Sequence, residues 1–200
     1  MSIDPAGLDP DPFRQFDAWL ADAVAAELPL PDAFALATAD ASGMPSVRIL
    51  LLRGHGPDGF SFYTSRTSRK GRDLRQNPVA AALFHWPALD RQVRLAGPVS
   101  EIDDGASAAY FAGRPRGSQL SAWASDQGAE IESRDALEAR VASVAARFPD
   151  GPLPLPPDWG GYRLMPDRFE FWLSRADRLH DRVEYRLEPG GTWTRQRLQP

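Results

Sequence analysis

Cysteine is absent from this chain of 200 residues, which removes disulfides, thiolate metal ligands and a thiol nucleophile from consideration. Histidine is scarce as well. His55, His85 and His180 share no i, i+4 spacing, so no metal site is expected. Basic residues are not in excess: 23 Lys and Arg stand against 27 Asp and Glu, for a net charge of −4. Such a balance provides no global positive field for a nucleic-acid backbone or an anionic bilayer. No apolar run approaches 18 residues, and the first twenty residues, with Asp4, Asp9 and Asp11, lack the basic and apolar regions of a signal peptide. The expectation is a soluble cytoplasmic protein that binds neither nucleic acid nor membrane.

Hydrophobic residues make up 42% of the chain, enough to bury a real core. "DPFRQFDAWLADAVAAEL" (11–28) places Phe13, Phe16, Trp19, Leu20 and Val24 at helical spacing, with Asp11 as N-cap and Pro12 at the first helical position. The period then changes to two. "AFALATAD" (33–40), "SVRILLLR" (46–53), "FSFYT" (60–64), "VAAALFHW" (79–86) and "RQVRLAGPVSEI" (91–102) read as strands separated by turn signals. A second helix is expected over 133–148, capped by Ser133, and a proline-rich connector follows at 149–158. "GYRLMP", "RFEFWL", "RVEYRL" and "TWTRQRL" supply four more strands. Connections this short leave no room for crossover helices, so the expectation is one α+β domain over 1–200, mainly antiparallel and closed into a barrel, with residues 1–10 flexible.

Familiar motifs fail on context. "GHGPDG" (54–59) satisfies G-x-G-x-x-G, but a strand follows it where a dinucleotide loop needs a helix, so it reads as a hairpin turn. No nucleophile elbow surrounds any serine. What stands out is a set of basic clusters at strand ends: Arg48 and Arg53 around "ILLL", Arg69 and Lys70 after "FYTSRTS", Arg114 and Arg116 in "YFAGRPRGS", and Arg178, His180 and Arg182 in "RLHDR". Read as a strand, "RLHDR" would turn its three cationic residues to one side. Tyr63, Thr64, Ser68, Tyr110 and Ser118 lie beside these clusters, and such mixtures of charge and hydroxyl suit phosphate groups.

Six segments in order, "RILLLR", "FYTSRTSRKGRDL", "NPVAAALFHWPALDRQVRLAG", "YFAGRPRGSQLSAWAS", "PLPPDWGGYRL" and "FEFWLSRADRLHDR", make the chain resemble the pyridoxamine 5'-phosphate oxidases, FMN-binding proteins with a split β-barrel of Greek-key type. The resemblance implies a homodimer with one FMN in each of two clefts between subunits. It implies oxidation of pyridoxine or pyridoxamine 5'-phosphate to pyridoxal 5'-phosphate, with oxygen giving hydrogen peroxide. FMN would be held by Arg48, Ile49, Leu50, Leu51, Leu52, Arg53, Tyr63, Thr64, Arg69, Lys70, Gln92, Gln127, Gly128, Trp159 and Arg182. Arg53, Tyr110, Arg114 and Ser118 would hold the substrate phosphate, with Arg178 and His180 over the pyridine ring as the catalytic pair. Arg53 stands where the family usually has Lys, and Gly128 where a Ser is common. A sister oxidase of the same scaffold, acting on a phenazine-pathway intermediate, is the alternative.

Overall fold

Alternation of apolar and polar residues buries one face of each strand of the computed structural model, which describes residues 2–200. The chain runs α1 (Pro12–Ala25), β1 (Ala33–Ala39), β2 (Pro45–Leu51), β3 (Phe60–Ser65), α2 (Arg69–Gln76), β4 (Val79–Trp86), β5 (Arg91–Glu101), α3 (Asp104–Ala112), α4 (Arg116–Ala124), α5 (Arg134–Arg147), β6 (Trp159–Leu164), β7 (Arg168–Leu173), β8 (Asp181–Leu187) and β9 (Trp193–Leu198). All strand pairings are antiparallel. Each anticipated strand segment contains a strand, and both anticipated helices form, capped by the Asp11 and Ser133 side chains.

Neighbouring strands follow the order β2-β1-β4-β5-β7-β8-β9, while β3 pairs with β6 and β6 with the far end of β5. Strand β5 is therefore shared. Residues 91–96 pair with β7 and residues 99–101 with β6. The change of partner falls at Gly97, where a Cβ would collide with the Met165 carbonyl; the missing side chain lets the two backbones cross. The ring β2-β1-β4-β5-β6-β3 comes round on itself but is not closed by a ladder, because only the bridge between Gly54 and Ser61 spans the gap from β2 to β3. The barrel is split, as the family resemblance implies, and not closed as the strand pattern alone suggests. "GHGPDG" forms the turn beside that bridge, with positive φ at Gly56 and Gly59.

Phe16, Phe34, Phe60, Phe62 and Phe84 pack together with Phe169 and Phe171 of β7 in edge-to-face, stacked and tilted contacts, and α1 joins this core through Phe13, Phe16 and Trp19. A smaller cluster of Phe111, Leu153 and Trp159 fixes α3, α4 and the proline-rich connector outside it.

Three expectations need correction. Residues 2–10 are docked rather than flexible: Ile3 and Leu8 are buried, the Tyr185 hydroxyl donates to the Asp9 carbonyl (2.7 Å), and Arg195 donates to that of Leu8 (2.6 Å). "RLHDR" is only partly strand. Arg178 closes a 3-10 turn (Ala176–Arg178), β8 begins at Asp181, and Asp177 and Arg178 both take positive φ. Finally, helices occupy 104–112 and 116–124, where none was anticipated.

Candidate functional site

The inward–outward alternation of β3 separates Tyr63, which faces a cleft, from Thr64, which is buried. Gly161, opposite Tyr63 on β6, lets that ring lie flat on the sheet, since a Cβ there would come 2.6 Å from the ring. Tyr63 stacks on Tyr110 of α3 with centroids 3.9 Å apart, and both rings run nearly parallel to Trp159. The Arg114 guanidinium lies 4.9 Å from the Trp159 ring centre. These residues, with Ile49, Leu50, Leu51, Arg53 and Ser118, line a cleft of about 780 Å³. The structure thus brings together Arg53, Tyr110, Arg114 and Ser118, which lie 65 positions apart at the extremes of the sequence.

Charge in this cleft is only partly compensated. Arg114 Nη1 is buried without a hydrogen-bond partner. Burial depresses the Arg114 guanidinium below its ordinary range, Arg53 adds repulsion, and Tyr110 opposes the shift. Arg53 has only a long contact to Asp32, at 3.5 Å. A buried cation without a counter-ion is costly, and a bound anion removes that cost.

A second cationic centre lies behind the first. The Lys70 Nζ is buried at the start of α2 and donates to Gln127 Oε1 (2.8 Å), Thr64 Oγ1 (3.1 Å) and Ser68 Oγ (3.3 Å), with no carboxylate in ion-pair range among the described residues. Burial, reinforced by Arg48, pulls its pKa down to about 8. Arg48 is less available, donating to Thr38 Oγ1 (2.8 Å) and Ser46 Oγ (2.5 Å) with Asp73 at 4.0 Å. Arg69, first residue of α2, is exposed. The hydrogen-bonding Gln127 and the adjacent Gly128 line a further cleft of about 740 Å³, and an intervening cleft shares Ser65 and Gln127 with it and Arg114 and Ser118 with the first. Two cations without a carboxylate counter-ion, Lys70 and Arg114, flank an aromatic wall and fit a flavin phosphate and a second anion.

Other anticipated residues lie elsewhere. Leu52 is buried in the core rather than exposed to the cleft, and Arg116 is occupied by the carbonyls of Phe148, Pro149 and Gly151. Gln92 lies on the central strand β5, and Arg178, His180 and Arg182 lie on or just before β8, toward the opposite end of the sheet from β2. Arg182 is held by a bidentate pair with Glu170 (2.8 and 3.0 Å). The Arg175 backbone N–H donates to His180 Nδ1 (3.2 Å), which leaves the proton of the neutral ring on Nε2, so the neutral His180 ring presents a donor there. The sequence reading missed Trp172. It is cross-strand neighbour to both Gln92 and Arg182, and its ring packs 4.6 Å from that of His180. The period-two pattern of "RFEFWL", with Trp172 on the polar face, was the available signal.

Comparison with known proteins follows the same division. Residues 20–148 match the family model described as pyridoxamine 5'-phosphate oxidase, and residues 159–200 match the pyridoxine 5'-phosphate oxidase C-terminal dimerisation region. The pyridoxine/pyridoxamine 5'-phosphate oxidase of Cupriavidus necator is 52% identical over 199 residues, covering 100% of this chain and 93% of the relative. That of Nitrobacter hamburgensis is 52% identical over 95% of this chain and 90% of its own. Among solved structures, PhzG from Burkholderia lata 383, in complex with tetrahydrophenazine-1-carboxylic acid, superposes with a TM-score of 0.92 at 33% identity, covering 100% of this chain and 98% of that one. A pyridoxamine 5'-phosphate oxidase-related FMN binding protein from Nostoc punctiforme shares the fold, with a TM-score of 0.74 at 22% identity over 96% of this chain and 100% of that one. Two adjoining family matches account for the barrel and for the strands that carry "RLHDR", and with relatives half identical along the whole chain, the protein belongs to the pyridoxamine 5'-phosphate oxidase family.

Proposed function

We propose that the protein oxidises pyridoxine 5'-phosphate or pyridoxamine 5'-phosphate to pyridoxal 5'-phosphate with FMN as cofactor and O2 as acceptor, releasing H2O2 and, from the amine, consuming water and releasing ammonia. The observation that carries this reading is the orphaned Arg114 Nη1 beside Arg53, Tyr110 and Ser118, a set that offers two cations and two hydroxyls to one phosphate. Lys70, Thr64, Gln127 and Arg69 would hold the phosphate of FMN. Bound there, FMN would supply a two-electron acceptor for hydride from the substrate C4', with oxygen as the final acceptor. The protein's part is positioning: two separated anion sites fix cofactor and substrate without occupying the reacting atoms. His180 Nε2–H donates to a ring substituent, and Arg178 supplies charge over the ring. Neither is a base, Arg178 because guanidinium keeps its proton, so the substrate proton passes to water.

Within one chain the "RLHDR" segment is five strands from β2, on the order of 20 Å along the sheet at ordinary strand spacing. A homodimer resolves the separation. Val47, Ile49 and Val79 are exposed on the outer sheet face, beside a groove lined by Ala35, Ala37, Leu83 and Glu170, and this face suits a second copy. In that dimer each cleft takes His180 and Arg178 from the partner. Mixing Arg114→Ala and His180→Ala chains, each impaired alone, then restores one intact site in each heterodimer, about a quarter of full activity for random pairing. No recovery on mixing means that cleft and "RLHDR" residues serve the same site from one chain.

The likeness to PhzG supports a second reading, a partly reduced phenazine carboxylate as substrate. Oxygen uptake by FMN-loaded protein with pyridoxine 5'-phosphate, unphosphorylated pyridoxine and tetrahydrophenazine-1-carboxylic acid separates the two. Preference for the phosphorylated pyridine supports the first reading, and preference for the phenazine overturns it.

A further inference from the structure

The segment Leu173 to Asp181 closes a tight loop, since these two residues face each other across β7 and β8. His180 sits one residue before the closing point. Its ring is held by the Arg175 N–H on Nδ1 and rests against Trp172. Asp181 itself is buried and faces away from Arg182, toward the docked N-terminal segment. Its Oδ2 accepts from Ser2 Oγ (2.9 Å) and from the Ile3 N–H (3.3 Å), while Oδ1 accepts from Arg197 Nη1 of β9 (2.8 Å). Arg197 reaches on to the Ile3 carbonyl (2.8 Å) and to Asp4 Oδ2 (3.1 Å). The Nε of Arg175, the residue whose backbone holds the His180 ring, lies 3.7 Å from the same Asp181 carboxylate.

We infer that Asp181, gripped by Ser2, Ile3 and Arg197, is a positioning residue that sets the orientation of His180, and that residues 2–4 serve the reaction as a clamp on the base of the "RLHDR" loop. One carboxylate joins two stretches of chain remote in sequence, the N-terminal segment and β9, to the loop. The loop needs that restraint. Asp177 and Arg178 occupy the left-handed region, φ 56° and 60°, where non-glycine residues are strained, and a loop so built keeps its shape only where its ends are fixed. Arg178, Leu179 and the Arg175–Asp177 stretch are exposed and contribute little packing. Without the clamp, the Arg175 N–H is no longer set against Nδ1, and the ring is free to exchange tautomers and rotate. The inference rests on the function proposed above only insofar as His180 meets substrate; the orientation of the ring is independent of which substrate that is.

The test uses Asp181→Asn and, separately, the chain lacking residues 2–4, which removes the clamp, with the buried Ile3, while leaving Asp181 itself in place. Two-bond 15N–1H spectra read the tautomer of His180 directly, and with three histidines in the chain a His180→Gln control identifies its signals. The parent is expected to show a single Nε2–H form. Both variants should show a tautomer mixture, and, at unchanged FMN content and dimer population, kcat/KM for pyridoxine 5'-phosphate should fall about tenfold, the scale expected when a positioned group is misplaced. An unchanged His180 signature in the shortened chain overturns the inference, as does a parent-like kcat/KM in a variant whose signature has changed. If the parent does not oxidise pyridoxine 5'-phosphate, the functional reading fails, and the spectra alone then decide whether the clamp orients the ring.

Discussion

Replacing Lys70 by Met tests the reasoning about uncompensated charge at its sharpest point. Lys70 is 6% exposed and has hydroxyl and amide partners but no carboxylate. Burial lowers its pKa from 10.5 to about 8, and at 1.36 kcal/mol per unit that corresponds to a folding penalty on the order of 3 kcal/mol while the amine is charged. The sign follows from proton counts. Between about pH 8 and 10.5 the unfolded chain binds the proton and the folded one does not, so stability of the flavin-free protein rises through that window, and below pH 8 the full penalty applies. Lys70→Met should therefore stabilise flavin-free protein by roughly 1–3 kcal/mol at pH 7, the lower end reflecting the lost hydrogen bonds, and should flatten the rise above pH 8. FMN binding should move oppositely. If a phosphate dianion restores the proton to Lys70, FMN affinity in the parent should weaken about tenfold from pH 7 to pH 9 while riboflavin affinity stays level. The variant should lose far more affinity for FMN than for riboflavin. Urea melts of flavin-free protein and fluorescence titrations at the two pH values measure all of this. Destabilisation by Lys70→Met, or equal losses for FMN and riboflavin, would refute the argument.

Arg114→Ala should cost on the order of 2–4 kcal/mol in kcat/KM for pyridoxine 5'-phosphate, leave FMN content unchanged and have no effect on unphosphorylated pyridoxine; equal damage to both substrates places the phosphate elsewhere. Gly161→Ala forces a methyl group against the Tyr63 ring and should lower stability by about 1–3 kcal/mol, with loss of the near-ultraviolet circular dichroism of the Tyr63–Tyr110–Trp159 stack. Glu170→Ala should cost about 1–3 kcal/mol by unpairing Arg182 and Arg94; a parent-like melt would show that the bidentate pair adds no net stability.

Strand period, caps and turn residues belong to the chain itself, which is why Asp11-Pro12, Ser133 and the alternation of "FSFYT" or "RFEFWL" locate their elements without knowledge of any neighbour. The helices over 104–112 and 116–124 were missed for a related reason. Alanine, glycine and serine dominate them, and they bury only Ser107 and Phe111 in one and Gln119 and Ala124 in the other, too few to mark an apolar stripe. Residues 2–10, rich in Pro, Gly and Asp, read locally as loose chain, yet Tyr185, Arg195 and Arg197 hold them from some 180 positions away. The basic clusters were legible, but not what each charge is for. Sequence alone places an arginine at 48, 114, 116 and 182 and a lysine at 70. Only the tertiary structure occupies Arg48 with Thr38 and Ser46, Arg116 with carbonyls and Arg182 with Glu170, and leaves Lys70 buried and the Nη1 of half-buried Arg114 unpartnered, neither facing a carboxylate. Pairing of charge depends on which distant groups the fold brings within about 4 Å, and that distance is set by packing, not by spacing along the chain.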